Sequence, residues 1–413
     1  MIKQLIKGLF AALGMEIRSI PKQNSMHYVV ISLAPKVEAK GNMLLSYILE
    51  PFLRSNDEPI SNAHTNHWES FHMAQIFLEM GYCVDVISYM NYQFVPIKNY
   101  SIFVSARTQF DRIAALLNHD CIKIVHQDTA HWIHNNQSAY SRLLDVKRRR
   151  GVSLNSVRFI EQNFSMENAD CAVVLGNEFT IGTFRYAGKK IYRVPVSVPL
   201  VYDWPEDKDF DSCRKHFLWF GSNGFVHKGL DLVLEAFTQT PDLHLTVCGP
   251  IDEDEKFKAA YHRELYETEN IHTHGWIDVG SHEFINITNS CIALVYPSCS
   301  EGGGSSVLTC MQAGLIPIVT YESSVDIEGF GITLEAATIE TIKAAIWQIS
   351  QQPADQCKYK AQKAWEFARR VHTREQFKEN YRGAISEILN GASIKGQQFV
   401  HSEKETGGSS AVL

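Results

Sequence analysis

The sequence predicts an α/β protein made of two doubly wound domains facing across a cleft. Three observations carry that expectation. The chain has 413 residues, too many for one ordinary hydrophobic core. From residue 26 onward, short β-rich runs alternate with amphipathic stretches, the pattern of a parallel sheet covered on both faces. The alternation then restarts near residue 216, after a proline-rich and acidic stretch.

Taken in order, residues 1–25 form an amphipathic segment. Ile2, Leu5, Ile6, Leu9 and Leu13 share one helical face, with Lys3 and Lys7 beside it. Such a segment suits peripheral contact with a membrane surface, or a helix docked on the protein body. It does not read as a secretory signal, because Glu16 and Arg18 interrupt it and no small-residue cleavage site follows. Residues 26–200 are the first domain. HYVVISL (27–33), CVDVISY (83–89), SIFVS (101–105), IKIVHQD (122–128) and CAVVLG (171–176) read as strands. NHWESFHMAQIFLEMG (66–81) reads as a helix closed by Gly81, with Asn66 or Thr65 as its cap and Glu69 completing a capping box.

Residues 195–212 carry three prolines and a cluster of acids, and read as the interdomain linker. The second domain covers 212–372, with strands in HFLWFG, LHLTVCGP, IHTHGW, CIALVYPS and IPIVT and a charged helix over 253–268. A last amphipathic helix over 373–390 uses Phe377, Tyr381, Ile385 and Ile388, and a polar Gly/Ser-rich tail over 391–413 reads as disordered.

Composition removes several function classes. Hydrophobic residues make up 45% and charged residues 21%, the balance of a soluble globular protein. The formal charge of −7 argues against a nucleic-acid partner. None of the nine cysteines forms a CxxC pair and the count is odd, which suits a reducing cytoplasm rather than a disulfide framework or structural zinc site. No apolar run reaches the length of a membrane span.

In open α/β sheets ligands bind beyond the carboxyl ends of strands, so the loops after strands are the candidate site. PSCSEGGGSS (297–306) brings Gly302, Gly303 and Gly304 to the start of a helix, where free backbone N–H groups of Ser305 and Ser306 form a seat for a diphosphate. Glu301 precedes them and can accept hydrogen bonds from sugar hydroxyls. FGSNGFVHKG (220–229) supplies Gly221, Ser222, Asn223 and Lys228, whose ammonium would neutralise a departing diphosphate. It is not a P-loop, since Gly229 follows Lys228.

IVHQDTAHWIH (124–134) places His126 at the end of a predicted strand, facing the cleft. His126, Asp128, His131 and His134 lack the spacing of a metal site. His64 and His67, before the first large helix, are candidates for the acceptor side. Lys147, Arg148, Arg149 and Arg150 read either as a solvated helix end, which the helix dipole favours, or as a lipid-phosphate contact.

The second half resembles a known family. HKGLDLVLEAF, LTVCGP, HTHGW and YPSCSEGGGSSVLTCMQAGLIPIVT occur in the order found in retaining GT-B glycosyltransferases of family 4, the glycosyl transferases group 1. The resemblance covers residues 212–388 well and the first half, through HQDTAH and NADCAVVLGNEFT, more loosely.

It implies a GT-B fold whose final helix crosses back to the first domain. It also implies transfer of a hexose-type sugar from a nucleotide sugar, with retention, to a glycan or lipid-linked acceptor, as in polysaccharide biosynthesis. Neither a metal nor another cofactor is implied. Glu301, Lys228 and His126 then match the family's catalytic positions, and Trp276 lies in the loop bordering the base. The family's second glutamate falls on Thr309 and its arginine on Ser222, both departures. Those two positions keep alternatives open: a weakened GT-B-like binding or partner protein, and a nucleotide-sugar epimerase of the same fold.

Overall fold

The computed structural model describes residues 25–55 and 58–406. The amphipathic segment expected at the N-terminus and residues 407–413 of the expected tail lie outside the described residues.

The first domain is built on seven strands: β1 (Val30–Leu33), β2 (Asn42–Tyr47), β3 (Cys83–Ser88), β4 (Ile102–Ala106), β5 (Ile122–Gln127), β6 (Cys171–Leu175) and β7 (Lys190–Val194). They lie in the order β1-β3-β2-β4-β5-β6-β7. All pairs are parallel except β1 with β3. HYVVISL therefore supplies an antiparallel edge, and the parallel run starts from NMLLSY, a strand not among those expected from the sequence. Leu44, Phe103 and Val125 pack on one side of the sheet, and Met43, Val104 and Ile124 on the other. Strands buried on both faces read as continuous apolar runs and show no alternation to detect.

The second domain holds β8 (His216–Phe220), β9 (His244–Cys248), β10 (Ile271–Gly275), β11 (Ala293–Tyr296), β12 (Ile316–Thr320) and β13 (Ile332–Leu334), all parallel, in the order β10-β9-β8-β11-β12-β13. The strand order reverses between β8 and β11, so the crevice of this sheet opens beyond those two carboxyl ends. The charged stretch 253–268 is not one helix. It divides into Glu255–Ala260 and His262–Tyr266, with a break at Tyr261.

The final helix runs Arg374–Thr406, further than the expected end at 390. Its residues Phe377, Tyr381, Ile385 and Ile388 are buried with Trp68 and Phe77 of the first domain. It thus lies on the first sheet although it follows the second domain in sequence. The linker is strapped down beside it: Val198 N–H donates to the His372 carbonyl at 3.1 Å, and Trp365 Nε1 to the Tyr202 carbonyl at 3.0 Å.

The basic cluster divides: Lys147 and Arg148 are exposed, as a solvated helix end requires, while Arg149 and Arg150 have a different role. The helix Trp132–Arg150 leaves the first domain and reaches the second, where Val146 joins the core. Arg149 pairs with Asp231 at 2.5 Å and with Glu235, and Arg150 pairs with Glu264 at 2.5 Å. Arg142 donates to the Pro297 carbonyl at 2.7 Å. Arg149 and Arg150 clamp the two domains, because acids of the second domain stand opposite them. Among the described residues no helix is long and apolar enough to cross a membrane.

Candidate active site

A cavity of about 880 Å³ lies between the domains, walled by the ends of β2, β4 and β5 on one side and by the loops after β8 and β11 on the other. On the second-domain side, the chain leaves β11 at Tyr296 and turns through Gly303 (φ 134°) and Gly304 (φ 45°) into the helix Ser305–Gln312. Both angles lie where side chains are rarely tolerated. Gly302 is needed for space instead. A Cβ there would run into the Asp128 carbonyl and the Thr129 nitrogen of the first domain. This is one of the points where the two domains touch.

Gly302→Ala is expected to force that contact apart at a cost of about 1–3 kcal/mol, since the obstacle is backbone that cannot rotate away. Urea unfolding of the variant checks this, and unchanged stability would mean the domains already stand apart in solution.

Lys228 and Glu301 meet at the centre of this wall, both buried. Lys228 Nζ donates to the Tyr296 hydroxyl at 2.7 Å and to Glu301 Oε1 at 3.2 Å. Glu301 Oε1 also accepts from the Tyr296 hydroxyl at 2.9 Å and Ser298 Oγ at 3.0 Å. Arg158 reaches its other oxygen at 3.3 Å. Burial alone would raise the Glu301 pKa. The charges of Lys228, Arg158 and His227 outweigh it, so the carboxyl is held well below its ordinary range. Burial lowers the Lys228 pKa, and Glu301 partly restores it.

Gly221, Ser222, Trp276, Gly302–Gly304, Ser305, Ser306 and Thr309 all line the same cavity. Trp276 is 61% exposed, a free aromatic face at the rim. Thr309 donates its hydroxyl to the Ser305 carbonyl at 2.8 Å, which leaves only its oxygen lone pairs for a ligand. Asn223 is not part of the wall. It turns outward and donates to Glu253 at 2.8 Å.

On the first-domain side, His64 lines the cavity, while His67 packs behind it with ring centroids 5.7 Å apart. Burial lowers the pKa of both. His126 does not face the cleft. It is fully buried between the rings of Tyr47 and Tyr381, and burial lowers its pKa to about 4. The reason is local: β5 continues to Gln127, so His126 still obeys strand alternation and points into the core. The first residue past the strand, Asp128, reaches the cavity instead. It accepts from the Tyr47 hydroxyl at 2.9 Å and from Arg107 at 3.1 and 2.9 Å. Burial would raise its pKa, but the Arg107 charge outweighs this and lowers it.

Glu69 is not a capping residue either. The helix Thr65–Glu79 has His64 at its N-cap with no side-chain cap bond. Glu69 is buried and accepts from Ser197 N–H at 2.9 Å and Ser197 Oγ at 2.8 Å. Among the described residues no group of three or more His, Cys, Asp or Glu gathers as a metal site would.

Residues 214–364 match the family model described as glycosyl transferases group 1. No curated protein sequence matches the chain. Sucrose-phosphate synthase from Thermosynechococcus elongatus is similar in structure over 84% of this chain and 99% of its own, with 14% identity and a TM-score of 0.60. Anabaena HepE, solved in complex with UDP and glucose, is similar over 85% of this chain and 99% of its own, with 12% identity and a TM-score of 0.53. The chain spans about half the length, 54%, of S. aureus TarM, which covers 68% of this chain at 13% identity and a TM-score of 0.49. At such identities the likeness is one of fold. The fold is therefore GT-B, two Rossmann-like domains facing across a cleft, and its C-terminal domain matches the glycosyl transferases group 1.

Proposed function

We propose that the chain is a retaining glycosyltransferase. It takes a hexose-type sugar from a nucleotide sugar bound in the cleft and passes it to a glycan or lipid-linked acceptor. The observation that carries the reading is the buried Lys228–Glu301 pair. It stands beside the glycine-rich turn and the open N-terminus of the helix Ser305–Gln312, at the reversal point of the second sheet. Free N–H groups and a positive dipole end favour a diphosphate there.

In this reading Lys228 and the 302–306 amides stabilise the charge that develops on the leaving diphosphate. Glu301, kept ionised, accepts hydrogen bonds from sugar hydroxyls. Trp276 offers a face to the base, and Thr309 accepts a hydrogen bond from ribose. The acceptor hydroxyl enters from the Asp128 and His64 side and attacks on the face the diphosphate leaves; the bond from the anomeric carbon to the diphosphate oxygen breaks as the new one forms, and that oxygen takes the hydroxyl proton. The walls hold both partners in one geometry, which replaces an encounter in water. No resident metal or cofactor takes part.

The test is thermal unfolding with nucleoside diphosphates and their sugars. A diphosphate at 100 times its dissociation constant is expected to add about 2.7 kcal/mol to the wild type. Lys228→Ala is expected to lose most of that increment. If no nucleotide stabilises the wild type at millimolar concentration, the transferase reading falls and a GT-B-like binding protein takes its place.

A further inference from the structure

We propose that Arg158, which belongs to the first domain, is the second phosphate-binding cation of the site, so that a diphosphate is held by both domains at once. The inference rests on the nucleotide-sugar reading above.

Among the described residues, three Lys and Arg side chains line the cavity: Arg107, Arg158 and Lys228. Arg107 gives two N–H groups to Asp128 and is committed there. Lys228 supplies one charge, and a diphosphate carries two or more. Arg158 is the cation left to match the remainder.

Its placement is built, although the loop that carries it has no regular structure. Residues 151–164 connect the helices Trp132–Arg150 and Ser165–Asn168. Two buried asparagines of the first helix hold this loop. Asn135 Nδ2 donates to the Arg158 carbonyl at 2.7 Å. Asn136 donates to the Ile160 carbonyl at 2.8 Å and accepts from the Ile160 N–H at 2.9 Å. Burying two amides is costly unless they are bonded, and here three of their bonds fix the backbone around Arg158.

The side chain then crosses into the second domain over Gly224, whose φ is 96° and where a Cβ would stand 2.5 Å from Arg158 Cγ. A glycine at that point leaves the notch open. The guanidinium ends 3.3 Å from Glu301 Oε2, opposite Lys228 on Oε1.

A purely structural ion pair would look different. The arginines that clamp the domains, Arg142, Arg149 and Arg150, make contacts of 2.5–2.7 Å to the second domain. Arg158 makes one longer contact, is 34% exposed and faces the cavity. Glu301 keeps Tyr296 and Ser298 as partners when the two cations turn to a ligand. A guanidinium fork also fits two phosphate oxygens, which an ammonium does not.

The experiment is calorimetric titration of the full chain with UDP, GDP, ADP, CDP and dTDP, and with the matching monophosphate of whichever binds tightest. It compares wild type, Arg158→Gln and Arg158→Lys. Arg158→Gln is expected to weaken the diphosphate about 10- to 100-fold, the loss of a charge-assisted hydrogen bond. The monophosphate is expected to change less than about 3-fold, and Arg158→Lys to recover part of the loss. If the wild type binds no diphosphate, the nucleotide-sugar reading fails and the proposal with it. If the wild type binds and Arg158→Gln binds equally well, only the role of Arg158 is overturned. Equal losses for mono- and diphosphate with no rescue by lysine would also overturn it, since that is the signature of a structural contact.

Discussion

Glu301→Gln is expected to destabilise the free protein by about 3 kcal/mol and yet to bind a nucleoside diphosphate more tightly than the wild type. The first effect follows from burial. Lys228 and Glu301 are both withdrawn from water, and removing one member of a buried ion pair leaves an uncompensated charge, a loss of about 3–5 kcal/mol. Glutamine keeps the bonds from Tyr296 and Ser298, which places the effect at the lower end. The pH dependence separates this cause from others. Glu301 titrates lower in the folded chain than its ordinary value of 4.5, so its contribution is full above that value and is lost as pH falls below it. In the variant, Lys228 loses the carboxylate that raises its pKa, and burial lowers it further. The folded state then prefers neutral lysine, so the deficit shrinks as pH rises toward the ordinary lysine value of 10.5. Urea unfolding at pH 7 and at alkaline pH measures both.

The second effect follows because Glu301 competes with any phosphate for Lys228 and Arg158. Without its charge both cations are free, and the diphosphate increment in unfolding temperature is expected to grow. The extra increment from the attached sugar is expected to vanish with the carboxylate that receives its hydroxyls. A variant as stable as the wild type, or one in which diphosphate binding falls together with stability, would contradict this account of the site.

The second-domain wall is legible in the sequence because its residues sit where α/β sheets put ligands. Residues 220–228 and 297–306 follow β8 and β11, the strands flanking the reversal of strand order. Glycines and one lysine in those loops carry their own signal. The first-domain wall is harder to read, and each miss has a physical cause. The sequence pattern sets His126 at the cleft end of its strand, but β5 runs on to Gln127, and Asp128, two residues past His126, is the side chain that reaches the cavity. Glu69 has the spacing of a capping box, but its partner is Ser197, 128 positions away, and tertiary contact outweighs the local bond. The helix end at Arg149 and Arg150 suits its own dipole, and only the fold reveals the acids facing it. Arg158 lies in an aperiodic loop, where neither periodicity nor motif distinguishes it from a solvated arginine.

Glu69 is expected to make the protein less stable as pH rises through neutrality. Burial raises its pKa from 4.5 to about 7, against the two bonds from Ser197 that lower it. The folded state therefore holds this proton more tightly than the unfolded chain does. Stability is highest with respect to this group below pH 4.5, declines between 4.5 and 7, and stays reduced above 7. The full change is about 3 kcal/mol, since each tenfold gain in proton affinity is worth about 1.4 kcal/mol. Glu69→Gln cannot ionise, and its carbonyl oxygen can still accept from Ser197. The variant should gain on the wild type by about 2–3 kcal/mol at about pH 8.5 and match it near pH 4.5. Parallel stability curves for the two proteins would show that the carboxyl is hydrated in solution and titrates normally. The same proton has a functional reading, since Glu69 lines the cavity with Tyr47 and with Lys228 and the glycine-rich turn. Protonated, it donates to a ligand oxygen, and ionised it only accepts. Acceptor KM is expected to shift through pH 7 in the wild type and not in Glu69→Gln, while diphosphate affinity, set by Lys228, Arg158 and the 302–306 amides, is expected to follow the same pH profile in both.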